Sequence, residues 1–214
     1  MARRKGTAMN EEEARSAVHT LVGAAAMDRL DRFAAHVAAE SERQNLVAKP
    51  TVAALWERHM LDSAQLLPMA AEHDGLWADV GTGAGFPGMV IALATDRPVA
   101  LIEPRRMRAD FLRAIAEQEG VASRVTVYQA KVERVSDLQA AVISARAVAS
   151  LTELLQSTAH IASMSTLYLL PKGQSATTEL NEAQRRFAGL FHVEQSITNP
   201  ESGIISAREV RQRR

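Results

Sequence analysis

Residues 78–88 read ADVGTGAGFPG, and no other stretch of the chain limits the fold so sharply. A short apolar run with Leu76, Trp77 and Val80 leads into Gly81, Gly83 and Gly85, and a helical apolar pattern follows Pro87. Strand, glycine loop and helix in that order suit a nucleotide-like ligand. Glycines let the backbone come close to the ligand, and a helix N-terminus offers N–H donors without intrahelical partners. Pro87 suits the first helical turn. The spacing excludes one class of ligand: the dinucleotide fingerprint G-x-G-x-x-G, begun at Gly81, needs glycine at 86, where Phe86 stands.

The rest of the chain supplies a scaffold for that loop. Residues 10–70 read as helical, with Asn10 and Glu13 forming a capping box and Met27, Leu30, Phe33, Ala34, Val37 and Ala38 on one apolar face. A turn is expected near Lys49-Pro50-Thr51, then two shorter helices ending at Pro68. From Gly75 the pattern becomes alternating strands (about 76–80, 98–103, 124–128, 140–145 and 166–171) and helices (about 87–95, 105–119, 150–162 and 175–186), with two late strands near 190–196 and 203–210. This predicts an α/β fold: a mostly parallel, doubly wound, Rossmann-like sheet of seven strands with an N-terminal helical extension. We divide the chain into a helical region, 1–74, and a ligand-binding domain, 75–214.

Composition removes several chemistries. The chain has no cysteine, so disulfides, thiolate metal sites, iron–sulfur clusters and cysteine nucleophiles are out. It has no run of about 18 apolar residues, and its start lacks the apolar core of a signal peptide, so a cytoplasmic protein with no membrane partner is expected. Net charge is zero, which gives no general attraction to nucleic acid. The charge is unevenly spread, however. Arg3, Arg4 and Lys5 open the chain, Arg208, Arg211, Arg213 and Arg214 close it, and Arg105, Arg106, Arg108 and Arg113 crowd one helix. Such runs are solvated faces as readily as phosphate contacts.

The glycine loop, with Asp79 two residues before Gly81, resembles the first motif of class I S-adenosylmethionine (SAM) methyltransferases. Glu103 ends the second strand, where a carboxylate accepts hydrogen bonds from ribose hydroxyls. The turn after the third strand, with Val132 and Glu133, is placed to reach an adenine. After the fourth strand stands Ile143-Ser144-Ala145-Arg146, without the Asn/Asp-Pro-Pro-aromatic motif of many amino-group methyltransferases, so an exocyclic amine is not the expected target. Arg146 offers a planar cation to a phosphate, carboxylate or base edge, and a salt bridge is its plainer role. Lys172 lies after the fifth strand and suits a substrate phosphate or open solvent. His59 and Asp62, three apart on a helix, signify no more than a surface pair by themselves. No H-E-x-x-H, catalytic triad or metal cluster is present.

Several segments together resemble the RsmG family of 16S rRNA guanine-N7 methyltransferases, also called GidB, over nearly the whole chain. Gln44-Asn45-Leu46-Val47-Ala48 is similar to its "YNLTA", and Glu57 to Ser63 to its "RHxLDS". Asp79 to Gly88 is similar to "DxGTGxGxPG", Arg106 to Leu112 to "KRxxFL", Arg146 to Ala149 to "RAVA", and Lys172-Gly173 to "LKG". The His59–Asp62–Ser63 segment is the most diagnostic. The resemblance implies SAM as cofactor, with Gly81, Phe86, Val132, Glu133 and Arg146 as ligand positions beside Asp79, Gly83, Gly85 and Glu103. Two residues depart from it: Ala84 stands for a common proline and Phe86 for a common leucine.

The resemblance implies methylation of a guanine N7 in 16S rRNA, within the small ribosomal subunit or its precursor; a monomer is expected because no large apolar stripe is left unexplained. N7 carries a free in-plane lone pair and attacks the methyl without a general base, so no catalytic acid or base is assigned. Arg146 and Lys172 are candidates for positioning. Arg58, His59, Arg105, Arg106 and Lys172 are candidates for RNA phosphates. Two other readings stay open: a class I methyltransferase for another RNA base or a small molecule, and a non-catalytic ribosome-binding relative.

Overall fold

In the computed structural model, which describes residues 9–213, the chain forms three layers around one sheet. The strands are β1 (Trp77–Val80), β2 (Val99–Ile102), β3 (Val125–Tyr128), β4 (Val142–Ala145), β5 (Leu167–Lys172), β6 (Phe187–Gln195) and β7 (Gly203–Gln212). Their order is β3-β2-β1-β4-β5-β7-β6. β1 to β5 run parallel, and β7 is antiparallel to both neighbours. The order reverses between β1 and β4, which is where such sheets bind ligands at their carboxyl edge. β1, β2 and β4 are buried on both faces, as parallel strands between helical layers must be.

Side-chain alternation assigns each strand residue to one of two cores. Trp77, Val99, Leu101, Val142 and Leu169 face α5 (Gly88–Ala94) and α6 (Arg106–Gln118). Ala78, Val80, Ile102, Ile143 and Leu170 face α7 (Leu151–Thr158) and α8 (Ala176–Arg186). The N-terminal helices α1 (Glu11–Val22) and α2 (Ala24–Gln44) join the first core, with Leu30, Phe33 and Val37 fully buried. Each such side chain contributes about 1.5–3 kcal/mol of burial. α2 therefore shares a core with the sheet. Arg32 on α2 also holds the side-chain-buried Glu119 at the end of α6 at 2.7 Å. Asn10 and Glu13 form the expected capping box.

Residues 49–70 differ from expectation. The turn at Lys49-Pro50-Thr51 is a helical turn, α3 (Lys49–Val52). The two expected helices are a π-helical segment, Trp56–Leu61, running into the single turn α4 (Asp62–Ala64). Pro68 opens a 3-10 turn, Pro68–Ala70, rather than closing a helix. The π segment begins under an external cap: the Glu11 carboxylate of α1 accepts from Trp56 N and Glu57 N, each at 2.9 Å. Arg208 and Arg211 are in β7 and so belong to no tail. Arg3, Arg4, Lys5 and Arg214 lie outside the described residues. No helix among the described residues is long and apolar enough to cross a membrane.

Candidate active site

The glycine loop is pinned from beneath by a buried relay. Trp77, Asp79 and Ser144 share one face of the sheet, on the paired strands β1 and β4. Trp77 Nε1 donates to Ser144 Oγ (2.8 Å), Ser144 Oγ donates to Asp79 Oδ1 (2.7 Å), and Asp79 Oδ2 accepts from Gly88 N (2.8 Å). Burial pushes the Asp79 carboxyl up to about 6, against the pull of the Thr82 and Ser144 hydroxyls and the Gly88 N–H. A Cβ on Gly88 would lie 2.6 Å from that of Asp79, so only glycine lets the helix start this close to the carboxylate. Asp79 thus shapes the loop from below and does not face the cleft.

Glu103 holds the middle of the loop. Its Oε2 accepts from Gly83 N (3.0 Å) and its Oε1 from Arg105 N (2.8 Å). A carboxylate has about four acceptor positions, so Glu103 retains capacity for ribose hydroxyls. Gly81, Thr82 and Gly83 line a cleft of about 960 Å³. Gly85 does not: a Cβ there would sit 2.8 Å from Met89 Cβ and 2.9 Å from Phe33 Cζ, so this glycine admits α2 against the loop. Val132 is likewise turned into the core beside α7, while Glu133 next to it is exposed.

Opposite the loop, the π segment meets the end of β4. Arg146 Nη1 donates to Arg58 O (2.9 Å) and Asp62 Oδ2 (3.2 Å), and Arg146 Nη2 lies 2.8 Å from His59 Nδ1. A guanidinium only donates, so His59 Nδ1 is the acceptor and Nε2 carries the proton. That N–H donates to Thr51 Oγ1 (3.1 Å), whose own hydroxyl donates to Ala48 O (2.7 Å). Burial first, then Arg146 and Arg58, push the imidazole down to about 3, so it is neutral at physiological pH. Asp62 Oδ1 accepts from Gln65 Nε2 (2.8 Å) and from Thr198 Oγ1 (3.2 Å) of the β6–β7 loop. Phe86 stacks on His59 at 5.0 Å between centroids, and the Arg146 guanidinium lies 5.5 Å from the same ring.

Of the residues singled out in the sequence, Arg58, His59, Gly81, Gly83, Phe86 and Arg146 line this one cleft. Lys172 lies apart, in an adjoining hollow of about 680 Å³ that also reaches Arg146. Its ammonium bonds Ala149 O and Glu179 Oε2, both at 2.8 Å, and ties β5 to the starts of α7 and α8. Arg105 and Arg106 are exposed at the start of α6. Sequence reasoning overlooked Arg108, Thr51, Gln65 and Thr198. For Arg108 a signal existed: it is four and seven residues before the buried Leu112 and Ile115, so it sits on the inward face of α6 and lines the cleft.

A GidB sequence model, described as rRNA small subunit methyltransferase G, matches residues 26–206. Two relatives named ribosomal RNA small subunit methyltransferase G show the extent of likeness. The one from Rhizorhabdus wittichii is 44% identical and covers 96% of this chain and 95% of its own. The one from Erythrobacter litoralis is 42% identical over 92% of this chain and 96% of its own. The chain belongs to the GidB family. Solved structures show the fold alone. A methyltransferase from Geobacter sulfurreducens has a TM-score of 0.56 at 13% identity, over 83% of this chain and 88% of that one. A Methanococcus maripaludis protein assigned as SAM-dependent methyltransferase has a TM-score of 0.58 at 11% identity, covering 100% and 99%. This GidB protein is thus a SAM-dependent methyltransferase of the class I fold. The site fits that cofactor on its own evidence: Gly81 and Gly83 turn at positive φ along the wall of the cleft, and Glu103 beside them keeps unused acceptor positions.

Proposed function

We propose that this protein methylates N7 of a guanine in 16S rRNA, acting as a cytoplasmic monomer on the small ribosomal subunit or its precursor. One observation carries the reading. Arg58, Arg108 and Arg146 converge on the cleft beside the glycine loop, and its imidazole is neutral with both nitrogens engaged. Glu57, Asp62 and Glu201 line the same cleft, so the guanidiniums offer local contacts to phosphate rather than a net positive field, and the site supplies no free imidazole base. A hydroxyl or amine target must lose a proton during methylation, whereas guanine N7 attacks through a lone pair that is already free.

SAM supplies an electrophilic methyl on a sulfonium centre. The protein holds and orients the reactants. Gly81 to Gly83 let the cofactor lie against backbone, Glu103 accepts from ribose hydroxyls, and Arg146 anchors an anionic group. Arg58, Arg105 and Arg106 hold RNA phosphates at the rim. His59 contributes a neutral, rigid wall. Catalysis on this reading comes from orientation and exclusion of water. N7 lies in the deep, narrow major groove of A-form RNA, so the target guanine must come from a loop or an opened region.

The test is methyl transfer from labelled SAM to 16S rRNA, as naked RNA and as small subunits, from cells lacking the enzyme, followed by mapping of the base. A single guanine N7 product is expected. Methylation of small molecules only, or of another base, rejects the proposal.

A further inference from the structure

The segment around His59 and Asp62 carries Arg58 and His59 into the cleft, which suggests RNA contact. Its hydrogen bonds suggest otherwise. His59 has no free nitrogen: one accepts from Arg146 and the other donates to Thr51. Asp62 is an acid in a site read as binding a polyanion, and its two oxygens take Arg146 on one side and Gln65 and Thr198 on the other. Every one of these bonds fixes Arg146 or fixes what holds it. Phe86 closes the arrangement from the loop side, stacked on His59 and close under the guanidinium.

The donors of Arg146 can be counted. A guanidinium has five N–H bonds. Two on Nη1 go to Arg58 O and Asp62, and one on Nη2 goes to His59 Nδ1. Nε–H and the second Nη2–H have no partner among the described residues. A guanidinium edge with two N–H groups is what recognises a carboxylate or phosphate in bidentate fashion. We infer that His59 and Asp62 are positioning residues: they grip one edge of Arg146 and so present its other edge to a pair of anionic oxygens on the bound ligand. His59 is suited to this because it accepts at Nδ1, and a protonated imidazole would repel Arg146 and Arg58 instead. The inference rests on the proposed reading of the cleft for Arg146. The anionic pair is either the SAM carboxylate or an RNA phosphate, and the experiment separates the two.

The full chain is titrated calorimetrically with SAM alone and, in a second arm, tested by filter binding with a 16S rRNA transcript. Asp62→Asn and His59→Gln each weaken one arm about tenfold or more, as expected for loss of a charge-assisted bond, and the affected arm names the source of the anion. His59→Asn keeps an acceptor near the Nδ1 position and recovers binding to within about threefold of wild type. In an Arg146→Ala background, Asp62→Asn adds less than about twofold, because its effect passes through Arg146. A purely structural Asp62 would show the same loss with and without Arg146, and that result overturns the inference. So do unchanged binding in both arms for the folded Asp62→Asn variant, and a His59→Asn variant as weak as His59→Gln. Thermal unfolding of each variant separates lost binding from lost fold. If the wild type binds SAM and RNA but methylates no guanine N7, the proposed function fails while this test stays readable.

Discussion

At the scale of single residues, Asp79 carries the clearest pH signature. Its folded carboxyl is raised from 3.8 to about 6 by burial. The folded state therefore favours the protonated acid, and this site is most stable below about 3.8. That advantage is lost as pH rises through about 6, where the buried carboxylate is charged. Asp79→Asn removes the titration and keeps an acceptor for Gly88 N. Its stability relative to wild type should therefore improve between pH 3 and 8 by about 3 kcal/mol, at 1.36 kcal/mol per pKa unit. Denaturant melts of both proteins across that range measure it; a constant difference between them rejects it. Phe86 gives a second test. Its ring fills space between Phe33, His59 and Arg146 and is 3% exposed, so it serves as packing for the grip on Arg146. Phe86→Leu should lower stability by about 1 kcal/mol and leave kcat/KM within about threefold. A loss of activity above tenfold would mean that the ring contacts the ligand itself.

At the scale of elements, the parts legible in the sequence are those governed by local rules. Strands β1 to β5 and helices α5 to α8 are marked by alternation and by the glycine loop. Asp79 and Glu103 follow from their distance to Gly81. The stretch 49–70 departs from its local pattern because its form is set from outside. The π segment takes its cap from Glu11, 45 residues before Trp56, and no local period records that. The grip on Arg146 is equally remote: Asp62 meets a guanidinium 84 residues later and a hydroxyl 136 residues later. Only the family resemblance marked the helix, and it did not say what the helix does. The cap makes a prediction at this scale. Glu11→Ala frees two amides at the start of the π segment and should cost about 1 kcal/mol, the usual worth of an N-cap. Hydrogen exchange of the Trp56 and Glu57 amides should quicken while exchange in β1 stays protected, and SAM or RNA binding should weaken through Arg146. Unchanged exchange at both amides would show that the cap does not hold the segment.

At the scale of the whole molecule, a chain of zero net charge must bind an anionic partner through the arrangement of its charges. The structure separates cations that are free to do so from those already employed. Arg58 is exposed in the lining of the cleft, Arg105 and Arg106 are exposed at the start of α6, and Arg106 meets Asp110 only at 3.7 Å across an exposed pair, an interaction of little worth in water. Arg213 belongs to an equally basic run but is used internally: its Nε donates to Gln184 O (2.9 Å) and Phe187 O (3.2 Å) at the end of α8, where a cation complements the helix dipole. Each phosphate neutralised on a single strand contributes about 0.7 to the slope of log K against log salt. Arg106→Ala should therefore reduce the salt slope of 16S rRNA binding by about 0.7 and leave the melting temperature unchanged. Arg213→Ala should do the reverse, lowering the melting temperature by a few degrees, about what 1 kcal/mol does in a chain of this size, with the slope intact. Equal slopes for wild type and Arg106→Ala would take that face of α6 out of the RNA interface and leave the cleft cations, Arg58, Arg108 and Arg146, as its electrostatic anchor.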